Sequence, residues 1–98
     1  RINRANILKH KMDNWINTKD RLPEPNKKVL IVRDVRKWDN KRPVTIDIAH
    51  TGYLEKETTI GGPNALTGYY KLKGLFFSVP AILHPESVTH WMELPSLP

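Results

Sequence analysis

The sequence predicts an α+β fold, namely a small, mostly antiparallel β-sheet of about four strands with one short N-terminal helix and long loops. Three observations support this class. The 98 residues, 39% of them hydrophobic, are enough for one core but too few for two. Apolar and polar residues alternate over 44–49 and over 88–94, as they do in half-buried strands. Leu8, Met12 and Trp15 share one stripe of a helix surface.

The chain before Trp15 is expected to be an extension, and the remainder a single compact domain. We assign residues 1–14 to the extension, with a helix over 3–14, and residues 15–98 to the domain. Prolines within Leu22–Asn26 disfavour helical backbone in the residues that precede them. The domain is therefore expected to begin with an extended, turning segment.

Two strands are expected in the middle of the chain. Val29–Val32 is apolar at every position, which predicts a central strand covered on both faces. The charged stretch Arg33–Arg42 predicts a loop or hairpin tip. Beyond it, the alternation over Val44–Ala49 predicts a strand with Ile46 and Ile48 on its buried face.

Further strands are expected in the second half of the chain. The alternation continues to Leu54, so the strand is predicted to be long, with a bend at Gly52. Residues 55–68 are polar and contain glycine, which predicts a loop. Tyr69–Phe77 returns to a strand pattern, and Val88–Leu94 predicts a strand that closes the sheet before the proline that follows it.

Basic residues are concentrated in the first half of the chain. The formal net charge is +6; residues 1–43 hold 13 Lys/Arg against 5 Asp/Glu, and residues 44–98 hold 3 against 5. An electropositive face with an anionic partner would account for this distribution, and so would solubility alone. No apolar run approaches the roughly 20 residues of a membrane helix. We expect a cytoplasmic protein without membrane contact.

Side chains that could perform catalysis or hold a metal are scattered. The histidines at positions 10, 50, 84 and 90 are 40, 34 and 6 residues apart and match no compact ligand motif, and there is no cysteine. The serines lie in no nucleophile elbow. No two carboxylates are forced together in an apolar setting. We therefore expect no metal, no cofactor, no catalytic residue and no enzymatic activity.

His90 is expected on the same face of the closing strand as Val88 and Met92. One interpretation makes it a metal ligand or a general base. The other is a half-buried imidazole, hydrogen-bonded to a neighbouring group, that fixes the packing of Trp15 and Trp91.

A tryptophan among basic residues makes the loop at 33–42 the candidate partner-binding site. A large apolar ring is costly to leave in water unless something covers it. It could stack on a base, insert into a protein partner, or fold back on its own sheet. The candidate partner-binding residues are Arg33, Arg36, Lys37, Trp38, Lys41 and Arg42.

Aromatic residues and lysines interleave in the strand predicted over 69–77, as they do on surfaces that bind single-stranded nucleic acid. An amphipathic strand accounts for the pattern equally well, because the alternation predicts that one set of residues faces inward, namely Tyr70, Leu72, Gly74 and Phe76. The candidate nucleic-acid contacts are Tyr69, Lys71 and Lys73.

Short motifs stand near both ends of the domain. Trp-Ile is followed by Leu-Pro and an apolar strand, and the chain closes on Thr-His-Trp-Met-Glu-Leu-Pro. Together they resemble a family of small phage and prophage proteins catalogued only as a domain of unknown function. The residues that carry the motifs are Trp15, Leu22, Pro23, Thr89, His90 and Trp91. Glu93 departs from the proline often found there, and the insert at 58–68 is longer than usual.

The resemblance implies a phage accessory protein in the cytoplasm of a bacterial host, and it carries over no catalytic residue. Our hypothesis is a small non-enzymatic binding protein that acts stoichiometrically on a host or phage macromolecule, most simply a protein. A component of an anti-phage defence is one such target. The alternative is a nucleic-acid-binding module that uses the loop at 33–42 and the strand at 69–77.

Overall fold

The computed structural model of the protein describes residues 14–61 and 68–94. They form one five-stranded antiparallel sheet. The strands are β1 (Ile16–Asn17), β2 (Lys28–Arg33), β3 (Thr45–Gly61), β4 (Tyr69–Ser78) and β5 (Val88–Glu93). Across the sheet they lie in the order β1-β5-β2-β3-β4, and a 3₁₀ turn at Pro85–Ser87 precedes β5.

The predicted α+β class is wrong, because the described residues are β-structure with five strands and no α-helix. Trp15, which the helical stripe required, instead leads directly into β1. This strand is only two residues long, too short for any alternation to reveal it. Apart from Asn14, which lies in a turn, the helix predicted over 3–14 falls outside the described residues.

β2 is the central strand, as predicted, with β5 on one side and β3 on the other. Val29 and Ile31 are completely buried on one face, which we call the core face. Leu30 and Val32 point to the opposite face, the outer face, and are only half-buried. The expectation that β2 is covered on both faces is therefore wrong.

One hydrophobic cluster on the core face holds the sheet together. It includes Trp91, which is only 4% exposed and whose indole Nε1 donates a 2.8 Å hydrogen bond to the carbonyl oxygen of Arg21. This bond satisfies the polar atom of the buried ring, and the guanidinium of Arg21 lies over the same ring, 5.5 Å from its centroid. The buried members of the cluster are Val29, Ile31, Ala49, Phe77, Leu83, Val88 and Trp91.

β3 runs for 17 residues and pairs with different partners along its length. Its first part, Thr45–His50, pairs with β2, and its second part pairs with β4. The loop predicted over 55–68 thus begins later, because β3 continues to Gly61. The β3–β4 pairing is irregular between Leu54 and Thr58 of β3, rather than at the predicted bend at Gly52.

Gly52 is required by close packing within the β3–β4 pair. The Phe76 ring lies so near that a Cβ atom on Gly52 would stand 2.3 Å from the ring Cζ. No real side chain accepts that distance, so the small residue makes room for the aromatic ring.

A β-bulge interrupts the closing strand β5. Val32 pairs with His90 but the next residue of β2, Arg33, pairs with Val88, which leaves Thr89 as the extra residue. The predicted alternation is therefore broken, and the residues buried in β5 are Val88 and Trp91. The expectation that His90 and Met92 share a face with Val88 is wrong, since the bulge leaves both on the outer face, where they are half-buried.

Candidate partner-binding surface

The loop at 33–42 carries its positive charge largely in ion pairs. Arg36 donates to both carboxylate oxygens of Asp34, from Nε at 2.9 Å and from Nη2 at 2.7 Å. These bonds, with the backbone N–H of Arg36, hold the pKa of Asp34 down at about 2. A fork-shaped guanidinium engaged in this way has fewer donors left for a phosphate.

Two more basic side chains of the loop also contact carboxylates. Lys37 donates to Glu86 in the 3₁₀ turn, which lowers the pKa of that carboxyl. Arg42 lies 3.6 Å from the carboxylate of Asp39. Lys41 is exposed, and its backbone N–H donates to the same aspartate at 3.1 Å. Three of the five basic side chains of the loop therefore face a carboxylate.

Trp38 folds back against its own protein. Its ring lies 4.9 Å from the ring of His84, and the ammonium of Lys37 lies 5.9 Å from the indole centroid. His84 in turn contacts Tyr70, at 4.6 Å between ring centroids. Arg33, the remaining candidate of the loop, is half-buried at the end of β2. Most of the predicted partner-binding residues thus contact other groups of the same protein and do not form one exposed cluster.

The three candidate nucleic-acid contacts lie together at the start of β4. Tyr69 is 86% exposed, and Lys73 is also exposed. Lys71 lies 3.5 Å from the carboxylate of Glu57 on the neighbouring strand. Leu72 is buried as predicted, and Tyr70 is half-buried, with the pKa of its hydroxyl raised by burial. The prediction that Phe76 faces inward is wrong, because Phe77 is the core residue at that end of the strand and Phe76 is only half-buried.

The motif residues near the two ends of the domain meet in space. Trp91 is core, and Pro23 is buried, whereas Leu22 is exposed. Thr89 and His90 are adjacent at the bulge, with Thr89 Oγ1 2.9 Å from His90 Nδ1. The bulge accounts for this contact, because successive residues of a regular strand point to opposite faces. His90 therefore has a side-chain partner and a half-buried position.

An apolar surface that the sequence did not predict occupies the outer face. Strand register places Leu30 between Ile48 and Met92 in one row, and Val32 beside Ile46 in the next. Ile46 is 64% exposed and Ile48 is 57% exposed, although both were expected to be buried. We call the surface made by these five residues the outer apolar face.

A groove of about 560 Å³ borders the outer apolar face. It lies where Val32 and Ile46 of that face meet Trp15 and Val44, and Val44 itself is 43% exposed. Polar and charged side chains complete the lining of the groove, namely Asp34, Arg36, Thr89 and His90. The groove therefore combines apolar surface with a rim that can hydrogen-bond to a ligand.

The expectation of buried isoleucines failed because the more apolar face of this part of β3 lies away from the core. Ala49, on the opposite face from Ile48, is completely buried in the core. The apolar residues of 29–32 indicate that both faces of the sheet carry apolar side chains, but not which face forms the core. Within the described residues, no helix lies on the sheet to supply the second cover.

A comparison with protein families decides what kind of chain this is. A family profile described as "Protein of unknown function (DUF551)" matches residues 14–98. The chain belongs to the DUF551 family. The predicted membership of a domain-of-unknown-function family is thereby confirmed. No curated protein and no solved structure matches the chain.

The side chains that could ligate a metal are dispersed in the described part of the DUF551 protein. Across residues 14–61 and 68–94, no three His, Cys, Asp or Glu side chains are placed to hold a metal ion. In the same ranges there is no helix with the length and apolar character needed to cross a membrane. The outer apolar face is suited to burying apolar surface of another molecule.

Proposed function

We propose that this DUF551 protein is a small non-enzymatic binding protein that acts stoichiometrically by holding another protein against its outer apolar face. The observation that supports this most is the exposure of Ile46 and Ile48, at 64% and 57%, beside three further apolar residues on neighbouring strands. Contiguous apolar surface of this kind on a soluble protein marks an interaction site.

Burial energetics favour a protein partner for this face. Covering apolar surface contributes about 25 cal/mol per Å², so two isoleucines and their neighbours can contribute several kcal/mol when a partner excludes water. The groove beside Trp15 and Val44 adds a concave site for one anchoring side chain. Nothing in the outer apolar face requires a charged or nucleotide-like ligand.

The nucleic-acid alternative has less support from the contacts. Arg36, Lys37 and Arg42 each face a carboxylate, and Lys71 lies near Glu57. Phosphate binding would have to break these pairs before any counterions are released. We expect binding to random DNA no tighter than about 10⁻⁶ M at physiological salt. Nanomolar binding to random DNA at physiological salt would instead favour the nucleic-acid alternative over a protein partner.

The proposal extends to the origin and the target of the protein. The motifs near the two ends of the domain support a phage or prophage source, because they resemble small proteins of that source. A non-enzymatic protein of this kind would inhibit by occupying its target. We therefore propose a host or phage protein as the target, with a component of an anti-phage defence as the first candidate to test.

The experiment compares capture by three proteins in extracts of infected or lysogenic bacteria. The wild type and the exposed-surface control Tyr53→Lys should capture the same partner, because Tyr53 lies farther along the same strand. The double variant Ile46→Lys, Ile48→Lys should lose it while keeping its fold by circular dichroism. The partner is then purified and titrated by calorimetry, with one partner per chain expected. Capture that survives in the double variant would place the binding surface elsewhere.

A further inference from the structure

The first part of β3 has an open edge. β2 pairs with it from Thr45 to His50, whereas β4 begins to pair only at His50. Among the described residues, no strand pairs with Thr45–Ala49 on the side away from β2. Alternate backbone N–H and C=O groups along this stretch therefore point outward, ready for another strand.

This edge has few of the features that normally keep sheets from associating. Natural edges are protected by charged side chains, lysine above all, and by proline, bulges or very short strands. Here Asp47 is the sole charged residue of Thr45–Ala49, and Pro43 lies outside it. The edge also carries Ile46 and Ile48, which are both exposed. An exposed apolar edge of this kind is a template for strand addition.

We propose that a second copy of the chain pairs with this edge, antiparallel and across a two-fold axis that passes beside Ile46. Each copy then contributes the same segment, as a symmetric dimer interface requires. The two sheets would join into one continuous sheet, and the two outer apolar faces would become neighbours. The inference rests on the open edge and does not depend on whether a partner protein binds the face.

Register considerations select this pairing over its neighbours. Residues that stand opposite each other in an antiparallel ladder lie on the same face of the sheet. The two-fold axis must therefore pass beside one residue, which then stands opposite the same residue of the second copy. Centring on Asp47 would place two carboxylates opposite each other, which is unfavourable. Centring on Ile48 would place Ile46 opposite His50, where Ser78 of β4 already lies.

Centring on Ile46 satisfies both faces of the sheet. It places Val44 opposite Ile48 on the outer face, so apolar residues meet apolar residues. On the other face it places Thr45 opposite Asp47, a hydroxyl opposite a carboxylate. The same two side chains already hydrogen-bond within one chain, at 3.0 Å. The edge is therefore complementary to itself in this register.

The chain has no cysteine, so single cysteines report the register directly. In the proposed dimer the two Cβ atoms at position 46 are about 5 Å apart, close to the separation that a disulfide spans. At position 48 they are about four ladder positions apart, roughly 13 Å. Under mild oxidation Ile46→Cys should form a disulfide-linked dimer and Ile48→Cys should not. The reverse result, or equal cross-linking of both, would overturn the proposed register.

Analytical ultracentrifugation of the unmodified protein tests the dimer itself. We expect a concentration-dependent monomer–dimer equilibrium for the wild type and for the control Tyr53→Lys. Ile46→Lys places two like charges opposite each other and should raise the dimer dissociation constant by about tenfold or more. A wild type that stays monomeric at all concentrations overturns the inference, as does an Ile46→Lys protein that dimerises like the wild type. A monomer that still captures a partner through Ile48 would leave the proposed function standing.

Discussion

The ring of Trp38 lies 4.9 Å from the ring of His84, tilted by 59°. His84 caps the 3₁₀ turn, where its Nδ1 accepts the backbone N–H of Glu86 at 3.1 Å. Trp38 therefore ties the loop at 33–42 to the segment that precedes β5. The indole is folded back on its own protein.

Trp38→Ala should lower the free energy of unfolding by about 2 kcal/mol. The value is below the roughly 3–5 kcal/mol of a fully buried tryptophan because this ring is half-buried. Urea denaturation measures the change. Tyr69→Ala is the control, since Tyr69 is 86% exposed and its loss should cost no more than about 0.5 kcal/mol. Unfolding curves of Trp38→Ala that superimpose on the wild type would show that the ring is free for a partner.

Trp91 and His90 are neighbours in a motif, yet we expect very different costs on truncation. Trp91→Ala removes a core ring and leaves the carbonyl of Arg21 without its donor, so a loss of about 4 kcal/mol is expected. His90→Ala removes a half-buried ring bonded to Thr89, so about 1 kcal/mol is expected. Thermal and urea unfolding measure both. Equal losses would mean that His90 is as much part of the core as Trp91.

The strands could be predicted from the sequence because their patterns are local. Val29–Val32 and Tyr69–Phe77 are apolar or alternating over enough residues to define strands, and both are strands in the structure. β1 could not be found because two residues hold no period. The helix was inferred from three apolar residues, and a pattern this sparse is equally compatible with extended backbone at Trp15.

Which face of each strand is buried, and hence the outer apolar face, could not be predicted from the sequence, because burial depends on residues far apart in the chain. Ile46 alternates as a buried residue does, but the core forms on the side of Ala49, where Leu83 and Val88 pack. The bulge at Thr89 arises from the register with β2, which the sequence does not state. The ion pairs of the loop differ in the same way. Asp34 and Arg36 are close in the sequence, whereas Glu86, the partner of Lys37, is far away in the chain.

The Asp34–Arg36 pair should make stability depend on acid pH. The pKa of Asp34 is about 2 in the folded protein against an ordinary value of 3.8, so the unfolded chain binds a proton first as pH falls. The contribution of the pair is present above pH 3.8 and is lost as pH falls from there through 2. Urea midpoints of the wild type and Asp34→Asn should differ at about pH 6 and converge toward about pH 2. If the difference between the two urea midpoints is unchanged at about pH 2, the extra stability of the wild type does not come from the ionised carboxylate of Asp34.

The last prediction compares two isoleucines, each of which lies on a strand of the same sheet. Ile31→Thr places a hydroxyl in a completely buried site and removes apolar volume, so a loss of about 2–4 kcal/mol is expected. Ile48→Thr keeps a β-branched side chain at a site that is 57% exposed, so stability should change by no more than about 0.5 kcal/mol.

The comparison is made at protein concentrations where the chain is monomeric, so that association does not contribute to stability. Urea denaturation supplies the free energies, and capture of the partner supplies the second measurement. Ile48→Thr should retain its stability and lose partner binding, because the side chain contributes to an interface and little to the core. If Ile48→Thr instead unfolds as readily as Ile31→Thr, the outer face is covered in the free protein and cannot be a vacant docking surface.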